Sequence, residues 1–123
     1  MSEEQMWIAG EWCNAEDGAT AEVLNPATGE VMATTPKATI ADVNRCVDAS
    51  RAAFNDHSWK NMDPAQRGRI MNKMAQATYA NAKQLAAIES NNNGKTFREA
   101  LSEIRYGAWT MESFAGLSDK IEG

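Results

Sequence analysis

The sequence predicts an α+β chain in which N-terminal β-hairpins are followed by about four α-helices. Three observations predict it. Two apolar runs, Val23-Leu24 and Val31-Met32, flank the turn signal Asn25-Pro26-Ala27-Thr28-Gly29-Glu30. Behind Thr39, and again behind Asp63-Pro64, apolar residues recur at helical spacing. The run Asn91-Asn92-Asn93-Gly94 then stops one helix before another begins. Residues 1–36 read as the hairpin region and residues 37–123 as the helical region of a single, incomplete domain.

The hairpin carries the most explicit turn chemistry in the chain. Asn25 precedes a proline, which pushes it to an extended conformation. Pro26 presets φ for the first turn position, and Gly29 takes φ > 0 at no steric cost. The strands run from Glu22 to Asn25 and from Glu30 to Thr35, with a loop of about four residues. Pro36 closes the element. Upstream, Met6-Trp7-Ile8-Ala9 and Glu11-Trp12 flank Gly10 as a short strand-turn-strand, and Asn14 to Gly18 is a polar turn. Met1 to Gln5 is expected to be a frayed start.

Thr39 is a good N-cap, and Asp42 three residues later can return the bond as a capping box. Ile40, Val43, Val47 and Phe54 share one helical face, with Ser50 in the step between the last two. Cys46 and Ala53 lie at its edge. Asp56-His57-Ser58 ends the helix, and Trp59 to Met62 is a connector. Asp63 followed by Pro64 is a strong helix start. That helix turns Ile70, Met71, Met74, Ala75 and Thr78 inward, and Arg67, Arg69 and Lys73 outward. The phase weakens at Tyr79-Ala80-Asn81, so a break is expected there. A third helix follows through Leu85, Ile88 and Glu89, and a last one runs from Phe97 toward Asp119.

The last helix carries two apolar stripes. One is Phe97, Leu101, Ile104, Ala108, Met111 and Ala115; the other is Tyr106, Trp109, Phe114, Leu117 and Ile121. A helix apolar on two sides is normally buried on two sides. The hairpin and the upstream helices can cover one side, and nothing in the chain is left over for the other. The chain stops at Ile121-Glu122-Gly123 without a tail. The expectation is an incomplete domain or a self-associating one.

Composition bounds the function. Of the 123 residues, 43% are hydrophobic and 24% charged, an ordinary globular balance. The net charge of −5 argues against nucleic acid or an anionic membrane as partner, since either would want a basic stripe. No apolar run approaches transmembrane length, and Ser2-Glu3-Glu4 is unlike a targeting signal, so the expected setting is cytoplasmic. Cys13 and Cys46 form no CxxC or Cys/His cluster. Free thiols in a reducing compartment are favoured over one disulfide. His57 is the only histidine. Neither cysteine has a base nearby in sequence, so both read as small buried or half-buried residues.

Four stretches together resemble the aldehyde dehydrogenase superfamily. They are Trp7-Ile8-Ala9-Gly10-Glu11-Trp12; Asn25-Pro26-Ala27-Thr28-Gly29-Glu30-Val31; Ala41-Asp42-Val43 with Ala49-Ser50-Arg51-Ala52-Ala53-Phe54, Trp59, Met62 and Arg67-Gly68-Arg69-Ile70; and Leu85-Ala86-Ala87-Ile88-Glu89 with Asn93-Gly94-Lys95 and Phe114-Ala115-Gly116-Leu117-Ser118-Asp119-Lys120. Each is weak alone; their order and spacing are specific. The resemblance implies the N-terminal part of a coenzyme-binding domain, without its Rossmann-like sheet.

In that family the full enzyme oxidises aldehydes to acids with NAD or NADP. A cysteine thiolate attacks the carbonyl, hydride leaves to the nicotinamide, and a glutamate activates water. The resemblance places that cysteine and glutamate downstream of residue 123, and no glycine-rich strand-to-helix turn stands in this chain. The chain is therefore expected to have no catalytic residue, no cofactor-binding residue and no activity of its own. Two minor sites carry over. Val23, Leu24 and Asn92 match a structural monovalent-cation site, where Asn92 replaces a carboxylate with a neutral, weaker ligand. Glu103, Tyr106 and Thr110 match positions lining the substrate entrance, although Tyr106 in the core and Glu103 merely solvated is an equal reading. Lys95 reads as a solvated charge at a helix start. The partner is then either the remainder of the enzyme or a second copy. The alternative function is a stand-alone helical binding or oligomerisation module.

Overall fold

The computed structural model describes residues 2–121. Its strands are β1 (Ser2–Glu3), β2 (Met6–Ile8), β3 (Glu11–Cys13), β4 (Thr20–Leu24) and β5 (Val31–Pro36). Its helices are α1 (Ile40–Asn55), α2 (His57–Lys60), α3 (Pro64–Ala80), α4 (Ala82–Asn93) and α5 (Phe97–Ala115). They gather into two compact units, Met1–Lys60 and Asn61–Gly123. The expected α+β order holds.

In the first unit, β4 and β5 pair antiparallel, and their turn closes as its residues require. Asn25 Oδ1 accepts from the N–H of Ala27 at 2.8 Å and of Thr28 at 3.3 Å. The Gly29 N–H donates to the Asn25 carbonyl at 2.8 Å, and Gly29 sits at φ 74°. Leu24 pairs with Val31 and Val23 with Ala33, so Met32 is the extra residue of a bulge. The second hairpin pairs Trp7 with Trp12, their ring centroids 4.7 Å apart. Its two turn residues, Ala9 and Gly10, both have positive φ, the pattern of a tight hairpin turn.

Three expectations for this unit are corrected. Residues 2–3 are not frayed: they add a strand parallel to β5, Ser2 opposite Ala33 and Glu3 opposite Thr34, and the Glu4 N–H donates to the Thr34 carbonyl at 2.9 Å. Met1 lies outside the described residues. His57–Lys60, expected as helix end and connector, form the short helix α2, with Asp56 accepting from the Ser58 N–H at 2.6 Å. The α1 face of Ile40, Val43, Val47 and Phe54 is exposed, and the buried residue of α1 is Asp42.

The second unit packs α3, α4 and α5 on small residues. Gly68, Ala75, Ala82, Ala86, Ala100, Ala108 and Ala115 are its buried helical positions. Small side chains let helix backbones come close. A Cβ built on Gly68 would stand 2.7 Å from the Ala115 carbonyl, which marks how tightly α3 and α5 approach. The helix signals act as expected: Asp63 caps α3 ahead of Pro64, α4 ends at Gly94 with φ 82°, and Thr96 with Glu99 forms the capping box of α5. Met74, expected inward, is 54% exposed, because Ala75 takes the contact position on that turn.

Candidate functional site

The best-defined polar cluster lies where α4 meets α5. Gly94 ends α4 in the left-handed conformation and turns the chain back. This fixes Lys95 at both backbone groups: its N–H donates to Asn93 Oδ1 at 2.9 Å, and its carbonyl accepts from the Ser90 hydroxyl at 2.7 Å. The half-buried Lys95 ammonium then reaches Glu89 at 3.2 Å and also Glu103. Hydrogen bonds to Glu103 first, and to Glu89, hold its pKa above the ordinary lysine value of 10.5. Lys95 is thus a tether between two helices rather than the solvated charge expected.

One turn on from Glu103 stand Tyr106 and Trp109, rings 5.4 Å apart, then Thr110. The Thr110 hydroxyl donates to the Tyr106 carbonyl at 2.9 Å, so it is turned back onto its own helix. Tyr106 is 66% exposed, which removes the reading of it as packed core. Glu103, Tyr106 and Thr110 therefore lie along one helix, with a paired carboxylate at one end and open aromatic surface beside it. Such an arrangement can guide an apolar small molecule.

The second unexpected cluster centres on Asp42 in the first unit. Its carboxylate accepts from the Thr39 N–H at 2.9 Å, the Thr39 hydroxyl at 2.9 Å and the Glu16 N–H at 3.1 Å. Arg45 completes the set at 3.2 Å. The Thr39 and Glu16 backbone donors, with smaller help from Arg45, hold the Asp42 carboxyl below its ordinary value. The signal for the Thr39 half was in the capping box. The Glu16 half joins a loop to a helix far along the chain, which no local pattern announces.

Cys13 and Cys46 are free thiols. Half-buried Cys13 lies 3.7 Å from the Met6 carbonyl and accepts from Arg45 at 3.4 Å, so neither neighbour is a base. Cys46 is exposed, contrary to expectation, because it follows the open α1 face. A nicotinamide cofactor needs N–H groups at a helix start for its pyrophosphate. The β5-to-α1 junction offers Lys37-Ala38-Thr39, without glycine, and the Asp42 carboxylate already takes the Thr39 N–H. These residues do not fit that group. Val23 is half-buried and Leu24 exposed on β4; Asn92 is exposed in the last turn of α4, in the other unit. Among the described residues, no three His, Cys, Asp or Glu side chains gather around a metal position, and no helix is long and apolar enough to cross a membrane.

Residues 12–123 match the sequence profile of the aldehyde dehydrogenase family. The (Z)-2-((N-methylformamido)methylene)-5-hydroxybutyrolactone dehydrogenase of Acinetobacter baylyi is 44% identical over all of this chain and 25% of its own length. Human retinal dehydrogenase 2 is 39% identical over 97% of this chain and 23% of its own. The crystal structure of an NAD-dependent aldehyde dehydrogenase from Sinorhizobium meliloti superposes with a TM-score of 0.91 at 36% identity, covering 98% of this chain and 24% of that one. The chain spans 13–25% of the length of the curated relatives it matches. By sequence and by fold, it belongs to the aldehyde dehydrogenase family.

Proposed function

We propose that this chain is the N-terminal portion of an NAD- or NADP-dependent aldehyde dehydrogenase, and that alone it is not catalytic. The whole enzyme would oxidise an aldehyde to a carboxylic acid through a cysteine nucleophile supplied by the other three quarters. The observation that carries this reading is the extent of the match, nearly all of this chain against about a quarter or less of each relative. Neither polar neighbour of Cys13, the Met6 carbonyl or the Arg45 guanidinium, is a general base that could take the thiol proton, which supports the same reading. Within the whole enzyme, Glu103, Tyr106 and Thr110 would border the substrate entrance. Two free thiols suit a reducing, cytoplasmic setting.

The test is direct. The purified chain, given NAD or NADP and a small aldehyde, is expected to form no reduced cofactor above background. Calorimetric titration with either cofactor is expected to show no binding. Turnover that disappears in Cys13→Ala or Cys46→Ala would overturn the proposal. A second reading, a helical module that associates with its own copy, is favoured by one observation: Tyr106, Trp109, Phe114 and Leu117 are all more than half exposed.

A further inference from the structure

We draw no further inference here: the strongest candidate, the exposed aromatic patch of α5 around Tyr106 and Trp109, belongs to the apolar face already described, and nothing in the structure shows what covers it.

Discussion

In the first unit, the buried side chain of the long helix is a carboxylate, Asp42; in the second, every buried helical residue is an alanine or a glycine. The first unit is therefore joined by hydrogen bonds converging on one anion, which tie the 14–18 turn to α1. The second is joined by backbones brought close over small side chains. The two should fail differently. Converging hydrogen bonds tolerate added volume but not a lost donor, since a buried acceptor left unmatched is costly. Close helix packing tolerates polar changes outside but not one added methyl. Both units share one trait: each leaves an apolar helix face open, on α1 and on α5.

That shared trait predicts the largest effect. Burying one large apolar side chain is worth roughly 1.5–3 kcal/mol. Trp109 and Phe114 on α5, with Leu117 and Ile121 just beyond its end, are each 53% exposed or more and leave several such terms unused. The chain is expected to associate in a concentration-dependent way, as one self-complementary patch can serve two copies. The aromatic α5 face should matter more than the α1 face. In light scattering, a Trp109→Ser/Phe114→Ser variant should move toward monomer further than Val47→Ser/Phe54→Ser does. A parent chain that stays a sharp monomer at all concentrations would remove self-association.

The next effect belongs to the second unit alone. Gly68→Ala places a methyl 2.4 Å from the Ser118 hydroxyl and 2.7 Å from the Ala115 carbonyl. The hydroxyl can turn away, but the carbonyl is helix backbone. Overpacking of this kind costs about 1–3 kcal/mol, against a gain of up to about 1 kcal/mol from replacing a helical glycine. Urea unfolding should show a net loss, and Ser118→Ala in the same chain should recover only part of it. Full recovery would mean that the hydroxyl, not the helix approach, sets the distance.

The matching test in the first unit is Thr39→Ala. It deletes the acceptor for the Asp42 N–H, 3.2 Å away, and one donor to the Asp42 carboxylate. Loss of a cap costs typically about 1 kcal/mol. The hub also carries a pH signature. Because the folded Asp42 carboxyl lies below its ordinary value of 3.8, its contribution is complete above that pH. It is lost as pH falls from there through the lower folded value. The stability difference between the parent and Asp42→Asn should shrink over that acid range and hold steady above it. A difference independent of pH would mean that Asp42 is held by shape rather than by charge.

How far this was legible in the sequence follows the same division. Asn25-Pro26 with Gly29, Thr39 with Asp42, Asp63-Pro64 and Gly94 are local signals, and each acts where it was expected. The parallel strand β1 was invisible, since two residues pairing with β5 leave no periodicity. An apolar stripe says which residues share a helix face but not whether anything covers it, so α1 read as if packed. That Glu103, Tyr106 and Thr110 share one face of α5 follows from helical register, whereas their choice as candidates came from the family resemblance. The Lys95 tether does not, because it needs α4 and α5 side by side. The exposure of Cys46 was hidden for the same reason as the α1 face.

The smallest effects concern two turns of the first unit, and they should have opposite signs. Gly29 sits at φ 74° with nothing within 4 Å of where a Cβ would stand, so Gly29→Ala adds backbone strain and no clash. The left-handed conformation costs an L-residue roughly 1–2 kcal/mol, and the stiffer unfolded chain offsets roughly 0.5–1 kcal/mol of that, so a small net loss is expected in urea unfolding. Ala9 already holds that conformation, at φ 56°, in the Trp7–Trp12 hairpin. Ala9→Gly removes its strain but loosens the unfolded chain by a comparable roughly 0.5–1 kcal/mol, leaving a gain of only a few tenths. Gly94→Ala supplies the control from the other unit, since Gly94 lies at φ 82°. If strain alone acts, its loss should match that of Gly29→Ala, whatever kind of packing surrounds the turn. A much larger loss at Gly94 would show that the α4–α5 joint, with Lys95 pinned behind it, resists local relaxation that the open hairpin allows.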